Sequence, residues 1–420
     1  MEVSRTSYVN QLWERRHNGL VKIITGVRRC GKSYLLFKLF KQHLLNEGIA
    51  QDHIISIALD DFANELYLEP HQLFEFVKGQ IKDTQMYYVL LDEIQLVPHF
   101  EKVLNGFLHL SNVDVYVTGS NSRFLSSDII TEFRGRGDEL RVYPLSFAEF
   151  YSVFEGTVEQ AWKEYRIYGG MPGLLLMESD ERKAEYLKRL FEQTYFSDII
   201  NRYNLRGNEE IGELVDVLAS SVGSLTNTLT LTNTFNSIKQ LSISRPTVAA
   251  YIQYLQDAFL LIQAKRYNVR GRKYIASPSK YYFVDAGLRN ARLDFRQRDY
   301  GFIMENVIYN ALCQSGWNVD VGMVEYNCKE DGKSIRKQLE VDFVCNKGSK
   351  RYYIQSAHEI TSEDKYWQEI QSFQHIHDSF QRILIQNEDI KSYYDENGIR
   401  HIGLFDFLLH PECIATESRV

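Results

Sequence analysis

A lysine followed by a hydroxyl residue, both placed directly after a glycine with a second glycine upstream, can cradle a phosphate chain and its metal. The chain carries this arrangement at Gly26-Val27-Arg28-Arg29-Cys30-Gly31-Lys32-Ser33, which fits G-x-x-x-x-G-K-[ST]. The backbone amides from Gly26 through Val27, Arg28, Arg29, Cys30 and Gly31 to Tyr34 would face the phosphates. Lys32 would reach the β and γ oxygens, and Ser33 would ligate Mg²⁺. The expected ligand is a nucleoside triphosphate.

Three further segments carry the residue types that hydrolysis needs. Tyr87-Tyr88-Val89-Leu90-Leu91 runs straight into Asp92-Glu93, the pattern of a buried parallel strand that ends in acids at the ligand edge of an open sheet. Asp92 would hold Mg²⁺ through its water shell, and Glu93 would polarise the attacking water. A strand over Val113 to Thr118 opens into Gly119-Ser120-Asn121. A small polar residue there could sense the γ-phosphate; Ser120 is favoured, with Thr118 and Asn121 as neighbours able to do the same. Phe133-Arg134-Gly135-Arg136-Gly137 offers two arginines, either of which suits a finger on a neighbouring subunit's nucleotide.

These residues need a frame. Val21 to Thr25 reads as a short buried strand. Beyond the loop, Leu35, Leu36, Leu39, Phe40 and Leu44 recur at helical spacing until Gly48, which suits a C′ stop. Strand-helix alternation continues to about Phe150, so residues 1–150 are expected to form an α/β nucleotide-binding core on a parallel sheet. Gly26 to Ser33, Leu90-Leu91-Asp92-Glu93-Ile94-Gln95, Thr118 to Ser122, Arg134-Gly135-Arg136 and Pro144 to Phe150 follow in order. Together they resemble prokaryotic AAA+-type ATPases whose C-terminal half is a domain of unknown function. Tyr168-Gly169-Gly170-Met171-Pro172 and Tyr281 to Leu288 also match, so the resemblance covers nearly the whole chain. It implies ATP with Mg²⁺ as ligands and a helical lid over 151–207. There Gly170 and Pro172 would pack on the nucleotide.

The 420 residues suggest two to four domains, and 44% hydrophobic with 25% charged residues is an ordinary globular composition. The start lacks a basic segment followed by an apolar one, and no apolar run approaches the roughly 20 residues of a membrane span. The five cysteines show no C-x-x-C spacing, which argues against a disulfide framework or a zinc site. A cytoplasmic protein without membrane contact is expected. A net charge of −7 argues against a uniformly basic nucleic-acid coat and leaves local patches.

One such patch lies in 208–299, expected to be a winged helix. Thr232 to Gln240 and Arg245 to Leu255 read as two helices, with Ser244 as N-cap and Val248, Tyr251, Ile252 and Leu255 as an apolar stripe. Strands over Leu260 to Lys265 and Tyr281 to Val284 would bracket the wing. Between Ala258 and Val284 there is no acid, whereas Lys265, Arg266, Arg270, Arg272, Lys273 and Lys280 are basic, with Tyr267 and Tyr274 among them. With Arg245 on the helix, the set suits DNA phosphates.

Residues 300–420 resemble the restriction-endonuclease fold, with Glu305 on a helix and Glu340 and Asp342 on a strand. The next strand places Gln355 and Ala357 where that pattern has an acid and a lysine. An inactive nuclease-like domain is therefore expected.

The leading expectation is an oligomeric ATPase, a ring or filament, that couples turnover to binding, remodelling or translocation of DNA. The alternative is a nucleotide-gated signalling or defence switch whose C-terminal half recruits a protein partner.

Overall fold

The structure is a computed structural model that describes residues 2–119, 135–205, 209–239, 243–296, 299–330 and 333–416. It divides into two compact units. One is Met1–Pro144 with Asp257–Phe259, and the other is Leu145–Gln256 with Leu260–Val420.

In the first unit five strands, β1 (Val21–Thr25), β2 (Ile54–Ala58), β3 (Tyr87–Asp92), β4 (Val113–Thr118) and β5 (Gly137–Arg141), pair in the order β2-β3-β4-β1-β5. Every pair is parallel. All residues of β1 and β3 are buried, as expected where helices cover both faces of a parallel sheet. Phe100, Val103, Leu104 and Phe107 line one face of the helix Phe100–Leu108 and join Val89, Leu91, Val115 and Val117 in a single core. The helix after the glycine loop runs through Lys32–Tyr34, a wider π-type stretch Leu35–Phe40, and Lys41–Asn46. Gly48 then takes φ 86°, and its amide and that of Ile49 satisfy the Leu45 and Leu44 carbonyls. This is the glycine stop expected from the pattern.

The second unit is built on one eight-stranded sheet. Its strands are β6 (Leu261–Asn268), β7 (Lys273–Phe283), β8 (Asn318–Glu330), β9 (Lys333–Lys347), β10 (Lys350–Ala357), β11 (Gln381–Gln386), β12 (Tyr393–Tyr394) and β13 (Arg400–Gly403). Their order is β12-β13-β11-β10-β9-β8-β6-β7. The hairpin β6–β7, expected as a wing, belongs to this sheet because Arg266, Tyr267 and Asn268 of β6 pair in parallel with Val321, Gly322 and Met323 of β8. The border expected at residues 299 and 300 therefore crosses a continuous sheet. The two helices before the hairpin are present, as Thr228–Thr234 running on into Phe235–Lys239, and Arg245–Asp257. Ser244 Oγ accepts from the Thr247 amide, and Val248, Tyr251, Ile252 and Leu255 are buried as one stripe.

The two later motifs of the chain meet inside this unit. Asp285 accepts from the Gly170 amide at 2.7 Å and from the Leu288 amide at 3.0 Å. Asn290 donates to the Arg166 and Ile167 carbonyls. Only glycine fits the contact. A Cβ on Gly287 would lie 1.8 Å from the Tyr168 carbonyl oxygen, and one on Gly169, at φ 75°, would lie 2.2 Å from Asp285. The Gly170–Pro172 turn, expected over a nucleotide, is thus fastened within the second unit, with the Gly170 amide already taken by Asp285.

Candidate nucleotide site and an ammonium-centred carboxylate cluster

The register of the first sheet gathers the loop, the acids and a hydroxyl at one edge. Ile24 of β1 pairs with Thr118 of β4, and Leu91 of β3 pairs with Val117. The C-terminal ends of β1, β4 and β3 therefore stand side by side, where an open α/β sheet binds ligands.

The loop after β1 is held open by backbone conformation. Gly26 takes φ 141° and a Cβ there would meet the Val142 carbonyl oxygen at 2.1 Å; Gly31 takes φ 96° and Arg29 φ 63°. Val27 and Cys30 are buried, whereas Arg28, Arg29 and Tyr34 are exposed. Lys32 is buried and donates to the Gly26 carbonyl at 3.0 Å and the Val27 carbonyl at 3.1 Å. Its ammonium thus lies within the loop it is expected to serve.

Asp92 is buried at the end of β3 and accepts from Thr118 Oγ1, with the Ser33 side chain nearby favouring its ionised form. Burial pushes its carboxyl above the usual range. The Thr118 and Ser33 side chains oppose this, and the charges of Glu93 and Asp60 add to it. A hydroxyl and a carboxylate in contact, under a surplus of negative charge, fit a hard cation such as Mg²⁺. No group of three or more His, Cys, Asp or Glu that could hold a metal occurs among the described residues, so Mg²⁺ here would need phosphate oxygens as further ligands.

Glu93 takes the left-handed conformation at φ 53°, uncommon outside glycine. Its amide donates to Thr118 Oγ1 at 3.0 Å, and Gln95 Nε2 donates to its carboxylate. Thr118 therefore bridges both acids. Ser120, Asn121 and Arg134 lie outside the described residues. Arg136 precedes β5, its carbonyl bonded to the Val21 amide and its guanidinium to Asn105. That is the opposite end of β1 from the loop, about 16 Å away at the usual rise of a five-residue strand. Arg136 cannot reach the loop of its own chain.

In the second unit, Arg270, Arg272 and Lys273 are exposed around the β6–β7 turn. Lys273 and the half-buried Arg266 line a groove of about 480 Å³ with Arg336 of β9. Two acids of β8 enter the patch. Glu325 of β8 accepts from Arg336 and Asn268, Arg270 donates to the Glu325 carbonyl, and Tyr274 donates to Asp320. Lys265 is exposed on β6. Arg245 sits on its helix and donates to Thr228 Oγ1.

Lys280, expected as a surface base of the wing, is instead buried, and its ammonium lies 2.8 Å from Glu305, 2.6 Å from Glu340 and 4.0 Å from Asp342. Tyr282 donates to Glu305 at 2.6 Å, and Ser356 donates twice to Asp342. Gln355 accepts from the Asp342 amide at 2.6 Å, while Ala357 lies in the core. Lys280 of β7 thus supplies the ammonium that stands among Glu305, Glu340 and Asp342. Burial pushes the Glu305 carboxyl up to about 7, against the pull of Lys280.

A parallel sheet in this order, with a glycine loop after its first strand and paired acids at the end of its third, is the frame of a P-loop nucleotide-binding domain. Residues 18–151 match the family described as an AAA domain, and residues 159–299 match a domain of unknown function (DUF8612). The chain belongs to the same family as an uncharacterized protein of Haemophilus influenzae, with 31% identity over 416 residues, 97% of this chain and 98% of that one. An uncharacterized protein of Methanocaldococcus jannaschii is 28% identical over 405 residues, 92% of this chain and 85% of that one. Among solved structures the chain is similar to the Aeropyrum pernix ORC1 protein in complex with DNA, at 13% identity and TM-score 0.28 over 70% of this chain and 92% of that one. It is also similar to Cdc6p from Pyrobaculum aerophilum, at 11% identity and TM-score 0.30 over 72% and 94%. Among the described residues, no helix is long and apolar enough to cross a membrane.

Proposed function

We propose that the protein binds and hydrolyses ATP with Mg²⁺, with Glu93 as the base that polarises water. The observation that carries this is the double hold of Thr118 on Asp92 and on the Glu93 amide, beside a lysine buried in the phosphate loop. Lys32 would exchange its two loop carbonyls for β and γ oxygens. Ser33 and Asp92 would hold the metal. Gln95 would orient the Glu93 carboxylate. Arg136, at the far end of β1 from its own loop, fits a finger supplied to a neighbouring copy, so the working form is an oligomer. Arg134 stays an equal candidate, as does Ser120 for a γ-phosphate sensor and Pro172 for a nucleotide contact.

In the same reading, the helix pair before β6 and the basic β6–β7 turn form a winged-helix-like DNA grip. The nuclease-like part of the sheet serves as scaffold, and turnover in the first unit is coupled to the grip. Steady-state ATPase assays with and without double-stranded, single-stranded and branched DNA test this. Wild type should turn over, Glu93→Gln should retain ATP without turnover, and DNA should raise the rate several-fold. Normal turnover by Glu93→Gln removes Glu93 as the base. Indifference to every DNA form removes the coupling and favours the nucleotide-gated switch.

A further inference from the structure

Arg5 lies before the helix Thr6–Glu14 in the left-handed conformation, at φ 45° and ψ 38°, with 4% of its surface exposed. A buried guanidinium on a strained backbone persists only where its surroundings determine it. Those surroundings are the underside of the phosphate loop. Arg5 Nη1 donates to the Cys30 carbonyl at 2.9 Å, and Nη2 donates to the Tyr143 carbonyl at 2.8 Å. The guanidinium carbon stands 4.6 Å over the ring of Tyr8, whose hydroxyl accepts from the Tyr143 amide at 3.2 Å. Cys30 Sγ approaches the Val142 carbonyl at 3.5 Å, on the same stretch that meets Gly26.

We propose that Arg5 is a positioning residue for the phosphate loop, fastening the Cys30 carbonyl to the chain that leaves β5. A carbonyl drawn down toward Arg5 is turned out of the cradle. The amide of that same trans peptide, the N–H of Gly31, then points the opposite way, toward an anion. The same fork binds Tyr143, next to the residue where the first unit ends. A change in the loop on nucleotide binding is thereby felt at that exit. The guanidinium also places a fixed positive charge behind the loop, where a triphosphate gains from it. Arg5 touches neither nucleotide nor water in this scheme; it acts through Cys30.

The inference rests on the ATPase reading, and the test separates the two. Mg·ATP affinity and steady-state kinetics are measured on wild type, Arg5→Lys and Arg5→Gln. Arg5→Lys keeps charge and stem but loses the fork, so it remains folded where a larger change would not. Losing hydrogen bonds to a charged group should raise KM for ATP about tenfold or more in Arg5→Gln. Arg5→Lys should fall between, and kcat should stay within about twofold. The thermal stabilisation that Mg·ATP confers should shrink in the same order, a difference that general loss of folding stability would not produce. If wild type neither binds nor hydrolyses ATP, the ATPase reading fails and this inference with it. If wild type binds and both variants match it in KM and in ATP-dependent stabilisation, Arg5 is not a positioning residue.

Discussion

Lys280 of β7 donates to Glu305 Oε1 at 2.8 Å, joining two residues whose side chains are 4% and 9% exposed. The same ammonium serves Glu340 on β9. An internal cation thus stands among carboxylates that, by their types alone, suggest a metal. Removing one partner of a buried ion pair leaves the other charge unpaired, which typically costs about 3–5 kcal/mol. Lys280→Met should lower stability by that order, as read from the denaturation midpoint of the second unit. A loss below about 1 kcal/mol would mean that solvent or Tyr282 already satisfies Glu305.

Thr118 joins the two acids of the first unit. Thr118→Val keeps the shape and removes the hydroxyl, taking away the acceptor of the Glu93 amide and one donor to Asp92. We expect turnover to fall by about 10²-fold, the scale at which misplaced reacting groups lose rate, while ATP binding is retained and Thr118→Ser recovers most activity. Equal turnover in the valine variant would show that Glu93 is held by other groups.

Much of this frame is legible in the chain itself. Apolar runs placed β1, β3 and β4, and Gly48 and Ser244 marked helix ends, because those signals are local. Long-range pairing was not legible. That Thr118 joins the acids is seen only because Val117 registers against Leu91, while Ser120 lies outside the described residues. Lys280 read as one more base in an acid-free stretch, since nothing local says that helix Tyr300–Gln314 and β9 bring acids to it. The tie between Gly170 and Asp285 spans two motifs that were recognised separately. Spacing within either one does not reveal that they touch.

That tie carries a pH dependence. Burial pushes the Asp285 carboxyl up from 3.8 to about 6, despite backbone amides at Gly170, Leu288 and Gly287 that favour its ionised form. A folded-state value above the unfolded one means that the native state holds the proton more tightly. The contribution is full below about 4 and is lost as pH rises through about 6, on the order of 3 kcal/mol for a shift of this size. Asp285→Asn should abolish this component while weakening the turn by about 1–3 kcal/mol for the acceptor it loses. Unfolding free energies of wild type and variant between pH 4 and 7 give the difference. Parallel curves would show that Asp285 is ionised in the native state throughout.

The DNA grip can be tested by salt. Arg270, Arg272 and Lys273 are exposed around one turn, but Glu325 and Asp320 stand beside them, so net charge does not decide whether they meet phosphates. Each phosphate contact releases counterions and steepens the fall of affinity with salt by about 0.9 in logarithmic slope. Replacing all three by Glu should weaken DNA binding and flatten that slope by about 2–3, with ATP hydrolysis in the absence of DNA unchanged. The side chains lie on a solvent-facing turn, so folding should be little affected. Arg245→Glu on the preceding helix provides a separate arm, since Arg245 is bonded to Thr228 rather than to the turn. If the triple variant keeps both affinity and slope while Arg245→Glu loses them, the helix is the grip and the turn is not. If all variants match wild type, neither surface touches DNA.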